Sequence, residues 1–293
     1  MTRIAVLTPD PADMSYAGQW PGVLERLSNA LALVEITVEP LAWTEHAETA
    51  ERLAAFPLAL PLLAWGYHRD HARWLSATRL WETSGIPMLN PPSVLGLNSD
   101  KAYLGRLSRA GVAIPPTLWV DAPTDEDVQQ AFETLGTDIL VIKPRVSGGA
   151  WRTLKLQRGD RMTEGPRGPA IIQTYLPSIE TDGETSLLYF GGRLSHAVRK
   201  TPEPGDFRIQ SQLGGVYEAT SPAPGAVTLA EQTLKALDRD LLYARIDLAQ
   251  DAGGRWRLME AELIEPDFYL SQAPDAGRMF AEAVERRLAG RAG

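Results

Sequence analysis

Two runs near the carboxyl end decide the fold: Tyr243-Ala244-Arg245-Ile246-Asp247-Leu248-Ala249 and Trp256-Arg257-Leu258-Met259-Glu260-Ala261-Glu262-Leu263-Ile264, separated by Asp251-Ala252-Gly253-Gly254. Apolar and charged residues interleave on both runs around a glycine turn, which predicts an antiparallel hairpin. Pairing Gln250 with Arg255 across the turn sets Asp247 opposite Leu258. Alternation of side chains then puts Asp247, Glu260 and Glu262 on one face, with diagonal neighbours ~7–8 Å apart. One Mg²⁺, with ligand bonds of ~2.0–2.1 Å, can bridge two such carboxylates, and a second ion can share the central one. Three acids on one face repel one another unless cations answer them. The bland alternative is the solvated face of an edge hairpin; the apolar residues flanking the acids on both strands favour burial.

Upstream, an apolar run at 139–142 ends in Lys143-Pro144 and is followed by Ser147-Gly148-Gly149-Ala150. A lysine leaving a buried strand beside a glycine turn can hold phosphate with its ammonium and with backbone N–H groups. Taken alone, the same pattern is more often a surface loop. Further strands are expected at 151–156, 171–175, 185–190 and 194–199, with Gly191-Gly192 as a hairpin turn. Arg199, Lys200 and Arg208 precede Gly214-Gly215 and are either anion forks or a surface ladder of charge. A helix is expected at 227–237. Another should run from Thr124, capped by Asp127, to Gly136. Asn98-Ser99-Asp100-Lys101 opens a helix that places Tyr103, Leu104 and Leu107 inward and stops at Gly111.

The first ninety residues have a βαβ rhythm: strands at 4–7, 36–41 and 58–65, with helical stripes through Leu27, Leu31, Trp74 and Trp81. This predicts a small open parallel sheet whose ligand-facing ends are Thr8-Pro9-Asp10 and Trp65-Gly66-Tyr67-His68, with Tyr16 nearby. The 293 residues suit two or three compact units.

Thirty-seven acidic against 29 basic residues argue against a nucleic-acid partner, though a local basic cleft can still take phosphate. With no cysteine there are no disulfides, thiolate metal sites or thiol nucleophiles. His68 and His71 alone cannot complete a zinc site, and neither a Walker A nor a Rossmann glycine pattern is present. No secretory or membrane-spanning run stands out, so the chain reads as cytoplasmic with no membrane partner.

Taken in order, Asn98-Ser99-Asp100-Lys101, Val141-Ile142-Lys143-Pro144, Ser147-Gly148-Gly149, Ile171-Ile172-Gln173-Thr174-Tyr175-Leu176 with Glu180 and Gly183-Glu184, Arg199, Arg208, and Asp247 with Glu260 and Glu262 resemble the ATP-grasp ligase superfamily in its glutathione-synthetase-like branch. The resemblance implies an α/β (α+β) fold: an amino-terminal parallel-sheet substrate domain (1–95), a central subdomain with a glycine-rich lid (96–176) and a carboxyl-terminal subdomain with the metal site (177–293).

It implies that Lys101 and Lys143 bind nucleotide, that Ser147, Gly148, Gly149 and Ala150 cover the phosphates, and that Gln173, Thr174, Tyr175 and Leu176 form the adenine hinge. Glu180 would hold the ribose, Arg208 the transferred phosphoryl group, and Arg199 that group or the substrate. Asp247, Glu260 and Glu262 would ligate two Mg²⁺, with Mn²⁺ as an alternative. The family's last metal ligand is commonly Asn, and Glu262 departs from it.

Leu258-Met259-Glu260-Ala261-Glu262-Leu263-Ile264-Glu265-Pro266 is similar to a compact subgroup that includes the O-ureidoserine cyclo-ligase of cycloserine synthesis. The implied activity is ATP- and Mg²⁺-dependent carboxylate–amine ligation through an acylphosphate on a small amino-acid-like substrate, within one molecule or between two. The alternatives are a nucleotide-binding member without turnover and a small-molecule kinase. A homodimer is left open.

Overall fold

A computed structural model describes residues 1–209 and 214–290. The amino-terminal part contains β1 (Thr2–Thr8), α1 (Trp20–Ala32), β2 (Ile36–Ala42), α2 (Glu51–Ala54), β3 (Ala59–Leu60) and α3 (His71–Thr83). The three strands form a parallel sheet in the order β2-β1-β3, as the βαβ rhythm requires. Trp74, Ala77, Thr78 and Trp81 are the buried stripe of α3.

The strand expected at 58–65 is cut to two residues. Pro61 offers no N–H to a ladder, and the Leu63 N–H turns back to the Leu7 carbonyl at 3.0 Å. Trp65 to His68, expected at the ligand-facing end of this strand, do line the cleft, with Tyr67 and His68 in a short 3-10 turn.

Next come α4 (Pro92–Asn98) and α5 (Tyr103–Arg109). Asn98 therefore closes a helix where it was expected to open one. Its side-chain amide donates to the Ala261 carbonyl at 2.8 Å and accepts from the Leu263 N–H at 3.0 Å. These bonds hold Ser99-Asp100-Lys101 as a turn against the carboxyl-terminal hairpin. The buried Asn90 amide likewise donates to the Tyr243 and Leu263 carbonyls, at 3.0 and 2.8 Å. Tyr103, Leu104 and Leu107 of α5 share a core with Ala244, Ile246 and Leu258.

The second sheet is antiparallel, in the order β4-β7-β5-β6. It comprises β4 (Thr117–Val120), β5 (Ile139–Pro144), β6 (Leu154–Gln157) and β7 (Ala170–Thr174), backed by α6 (Asp125–Leu135). The capping box of Thr124 and Asp127 is present, and Gly136 ends α6 at φ 60°. The strand expected from 151 begins three residues later, because Trp151 and Thr153 N–H groups close turns onto Gly148 and Ala150 carbonyls.

The third part has α7 (Ser178–Thr181), β8 (Glu184–Phe190), β9 (Arg193–Thr201), β10 (Val216–Thr220), α8 (Pro224–Leu237), β11 (Tyr243–Gln250), β12 (Trp256–Glu262) and α9 (Arg278–Ala289). Its sheet runs β10-β9-β8-β11-β12. Strand β10 and helix α9 are additions to the sequence reading. Phe280 of α9 packs on Phe190 and Phe268, in a core shared with Ile4 and Val6 of β1 and Leu31 of α1.

Two bulges in this sheet decide which side chains reach the cleft. The β11–β12 turn is one residue longer than expected, so Gln250 pairs with Trp256 and not Arg255. That slip alone would send Glu260 to the far face. Met259 is then bulged out, and Asp247 pairs directly with Glu260. The two shifts cancel: the acids share a face as expected, but Asp247 stands opposite Glu260 rather than Leu258.

On the β8–β9 hairpin, Phe190 pairs with Arg193, but Leu188 pairs with His196, which leaves Ser195 extra. This bulge puts Val198 opposite Ser186, and Lys200 opposite Glu184. Ser186 lies opposite Asp247, so Lys200 joins the face of Asp247 and Arg199 is turned away. No helix among the described residues is long and apolar enough to cross a membrane.

Candidate active site

Residues from the two antiparallel sheets, and from loops and turns of the amino-terminal part, line a cavity of about 1040 Å³. That is at the upper end of small-molecule sites, enough for a nucleotide and a small second ligand. Lys101, Lys143, Gln173, Arg208, Asp247, Glu260 and Glu262 all line it, as do the Ser147–Ala150 loop and the 174–176 hinge.

Two expected residues stand elsewhere. Arg199 pairs with Glu218 at 2.9 Å, with both side chains about half exposed, because the Ser195 bulge turns it outward. Its place is taken by Lys200, buried between Glu184 at 2.5 Å and Asp247 at 3.2 Å. Glu180 is not among the cavity-lining residues. It is bonded by Lys155 and by the Tyr175 hydroxyl, the latter at 2.5 Å, and these bonds hold its carboxyl below the usual range.

The phosphate-sized end of the cleft is a lattice of opposite charges. Lys101 meets Glu260 at 3.0 Å; burial works against its charge, but the carboxylate more than offsets this and raises its pKa. Lys143 leaves β5 into the cavity, and among the described residues it has no ion-pair partner. Burial pulls its pKa down, as for a cation still lacking its anion.

Arg245 reaches Asp247 at 3.1 Å and also bonds Glu262. Asp247 further accepts from Ser186 at 2.6 Å. Burial opposes the charge of Asp247, yet Arg245 and Lys200 hold its carboxyl down at about 2. Burial pushes Glu262 up to about 8 despite Arg245, with Asp247 and Glu260 adding repulsion.

The three carboxylates expected to hold metal all line the cavity, but their side chains are turned to cations of the chain. Among the described residues no group of three His, Asp or Glu is arranged to hold an ion. Asp247 is committed to Arg245 and Lys200. Hard oxygen donors of the Mg²⁺ type nonetheless remain in Glu260 and Glu262, each engaged through one oxygen, Oε1. The raised pKa of Glu262 marks a surplus of negative charge that a divalent ion would relieve. The donor chemistry fits Mg²⁺ at these two residues.

The opposite end is aromatic. Tyr16 packs on Trp65 at 5.6 Å between centroids, and Arg69 lies over Tyr16 at 4.8 Å while pairing with Asp13 at 2.5 Å. His68 abuts the glycine loop: a Cβ on Gly148 would lie 2.9 Å from its Cε1, so the loop needs glycine to pass. Burial, with Arg69 and Lys101 adding, pushes the His68 imidazole down to about 4, so it is neutral at pH 7.

The sequence reading gave no role to Arg245 or Glu265 and named Lys200 only within a basic run that was either an anion fork or a surface ladder. Arg245 was readable from alternation, being two residues from Asp247 on the same face. Lys200 was not, because a bulge leaves no clear mark in sequence.

The cycloserine biosynthesis protein DcsG of Streptomyces lavendulae is 27% identical over 97% of this chain and 99% of its own. The crystal structure of D-cycloserine synthetase DcsG superposes with a TM-score of 0.79 at 24% identity, covering 98% of this chain and 99% of that one. The chain has the fold of the ATP-grasp ligases.

The D-alanine–D-alanine ligase of Bacillus anthracis, complexed with ATP, shares the fold with a TM-score of 0.72 at 18% identity, over 100% of this chain and 99% of that one. So does the ATP-grasp ligase PsnB, whose complex holds Mg and ADP, with a TM-score of 0.65 at 17% identity, over 97% and 98%. No family model matches the chain.

Proposed function

We propose that this ATP-grasp ligase activates the carboxylate of one small amino-acid-like molecule and closes a ring onto a nitrogen of the same molecule. The observation that carries this reading is the two-ended cleft, with cations at one end and a small aromatic-walled space at the other. Full-length likeness to a D-cycloserine synthetase supports the ring closure.

Lys143, Lys101 and Lys200 would hold the phosphates of ATP, and Gln173 to Leu176 the adenine. The substrate carboxylate attacks the γ-phosphorus and ADP leaves; a nitrogen then attacks the acyl carbon and phosphate leaves. Arg245 and Lys200, anchored by Asp247, answer the charge that develops on the transferred group. Glu260 and Glu262 are the ligands assigned to Mg²⁺, which when bound neutralises phosphate charge. Arg208, held by Asp206 at 2.7 Å, faces the same cavity.

The chain needs no nucleophile of its own, consistent with its lack of cysteine. Holding both reacting ends of one molecule supplies rate as effective molarity. A second reading, ligation between two molecules, is favoured by the equally complete superposition on the D-alanine–D-alanine ligase. O-Ureidoserine alone should release ADP and give a cyclic product. ADP release only after a separate amine is added would favour the second reading. Phosphorylated product without ligation would indicate a kinase.

A further inference from the structure

Most of the cleft's carboxylates are answered by a cation of the chain. Glu184 has Lys200, Asp247 has Lys200 and Arg245, Glu260 has Lys101, and Glu262 has Arg245. Asp267 gives one oxygen to the Tyr269 N–H at 2.8 Å. Glu265 also lines the cavity, partly buried, yet among the described residues no lysine or arginine forms an ion pair with it.

Glu265 stands where the chain leaves β12, between the two ends of the cleft. Its charge is felt by Tyr16 and Tyr67 on the aromatic side and by Lys101 on the phosphate side. A carboxylate withdrawn from water without a cation is costly. Burial pushes its carboxyl up to about 7, with Glu260 adding repulsion, and Arg245 and Lys101, neither in an ion pair with it, offset this only in part.

The substrate's chemistry fits that gap. Its reacting carboxylate must sit against the phosphoryl group, beside Lys143 and Glu260. In an α-amino acid, bonds of about 1.46 and 1.52 Å place the ammonium nitrogen roughly 2.5 Å from the carboxyl carbon. Its recognition group must therefore lie next to the phosphate-end acids, and Glu265 is three residues beyond Glu262 on the same strand exit. Tyr16 and Trp65 give the ammonium aromatic neighbours.

We propose that Glu265 binds the α-ammonium group of the substrate and so restricts the enzyme to α-amino acids over simple carboxylic acids. This rests on the ligase reading above.

The test measures ADP release with matched pairs: alanine and propanoic acid, serine and 3-hydroxypropanoic acid, O-ureidoserine and 3-(ureidooxy)propanoic acid, using both enantiomers of each amino acid. Wild-type protein should favour the amino acid of an active pair at least 100-fold in kcat/KM. Glu265→Gln should raise KM for that amino acid at least tenfold, leave kcat within threefold and cut the preference below tenfold. Glu265→Asp should recover part of it, and affinity for a non-hydrolysable ATP analogue should stay within twofold in both variants.

Equal use of the des-amino acid by wild-type protein, a comparison that needs no variant, would overturn the proposal. An unchanged KM and preference in Glu265→Gln would do the same. If no compound in the panel releases ADP, the small-amino-acid reading itself fails and takes this inference with it.

Discussion

The two ends of the cleft are built by different rules. At the phosphate end, Lys143, Lys200, Arg245, Asp247 and Glu260 stand on strands or at strand ends, and most are cross-linked by ion pairs of 2.5 to 3.2 Å. At the other end, Tyr16, Trp65, Tyr67 and His68 come from short turns of the first domain and rely on ring packing. On the proposed reading, phosphoryl chemistry would be held by the sheets and substrate choice by loops that can vary without disturbing them.

If the phosphate end carries the reaction, its charges should dominate kinetics. Lys143→Met and Glu260→Gln should each lower ADP formation by about 10²–10³-fold or more, as for loss of one transition-state contact, with circular dichroism unchanged. Retained activity in either variant would break the comparison at its stronger side.

A sharper division runs between two adjacent residues. Lys200→Met should cost at least about 10²-fold, while Arg199→Met should stay within about threefold, since it loses only a half-exposed pair with Glu218 worth about 0–1 kcal/mol. The opposite order would mean that the Ser195 bulge does not set the face of β9.

The boundary between the ends is tested at the glycine loop. Gly148→Ala should raise KM for ATP severalfold, roughly 1 kcal/mol of crowding against His68. His68→Ala in the same chain should relieve it. Non-additivity of this kind is expected only of groups in contact.

The smallest effect is on stability. Folded His68 titrates near 4 against an ordinary 6.5, so its contribution is whole above pH 6.5 and is lost as pH falls toward 4. Between pH 7 and pH 5 the wild-type Tm should fall roughly 2–4 °C more than that of His68→Gln. Parallel curves would mean that the imidazole is solvated.

Much of this was legible in sequence, for reasons that also explain the failures. The parallel sheet and the capping box at Thr124 follow from periodicity and cap chemistry; the shared face of Asp247 and Glu260 was reached through a register that is off by one at the turn and restored by the Met259 bulge. Register did not follow. Met259 and Ser195 are ordinary strand residues whose bulging is set by tertiary packing, and each moves every side chain beyond it to the other face. Ion pairing was equally hidden: the surplus of carboxylates was plain, but that Arg245 and Lys200 would claim Asp247 depends on those registers. The strand expected at 58–65 proved short because Pro61, which the periodicity passes over, cannot donate to the ladder.

The central claim is that the substrate's own carboxylate receives the phosphoryl group. O-Ureidoserine labelled with ¹⁸O in its carboxylate, incubated with ATP and Mg²⁺, tests it directly by mass spectrometry of the released phosphate. The account predicts one ¹⁸O atom in each phosphate formed alongside the cyclic product. Release of ADP with unlabelled phosphate would contradict it.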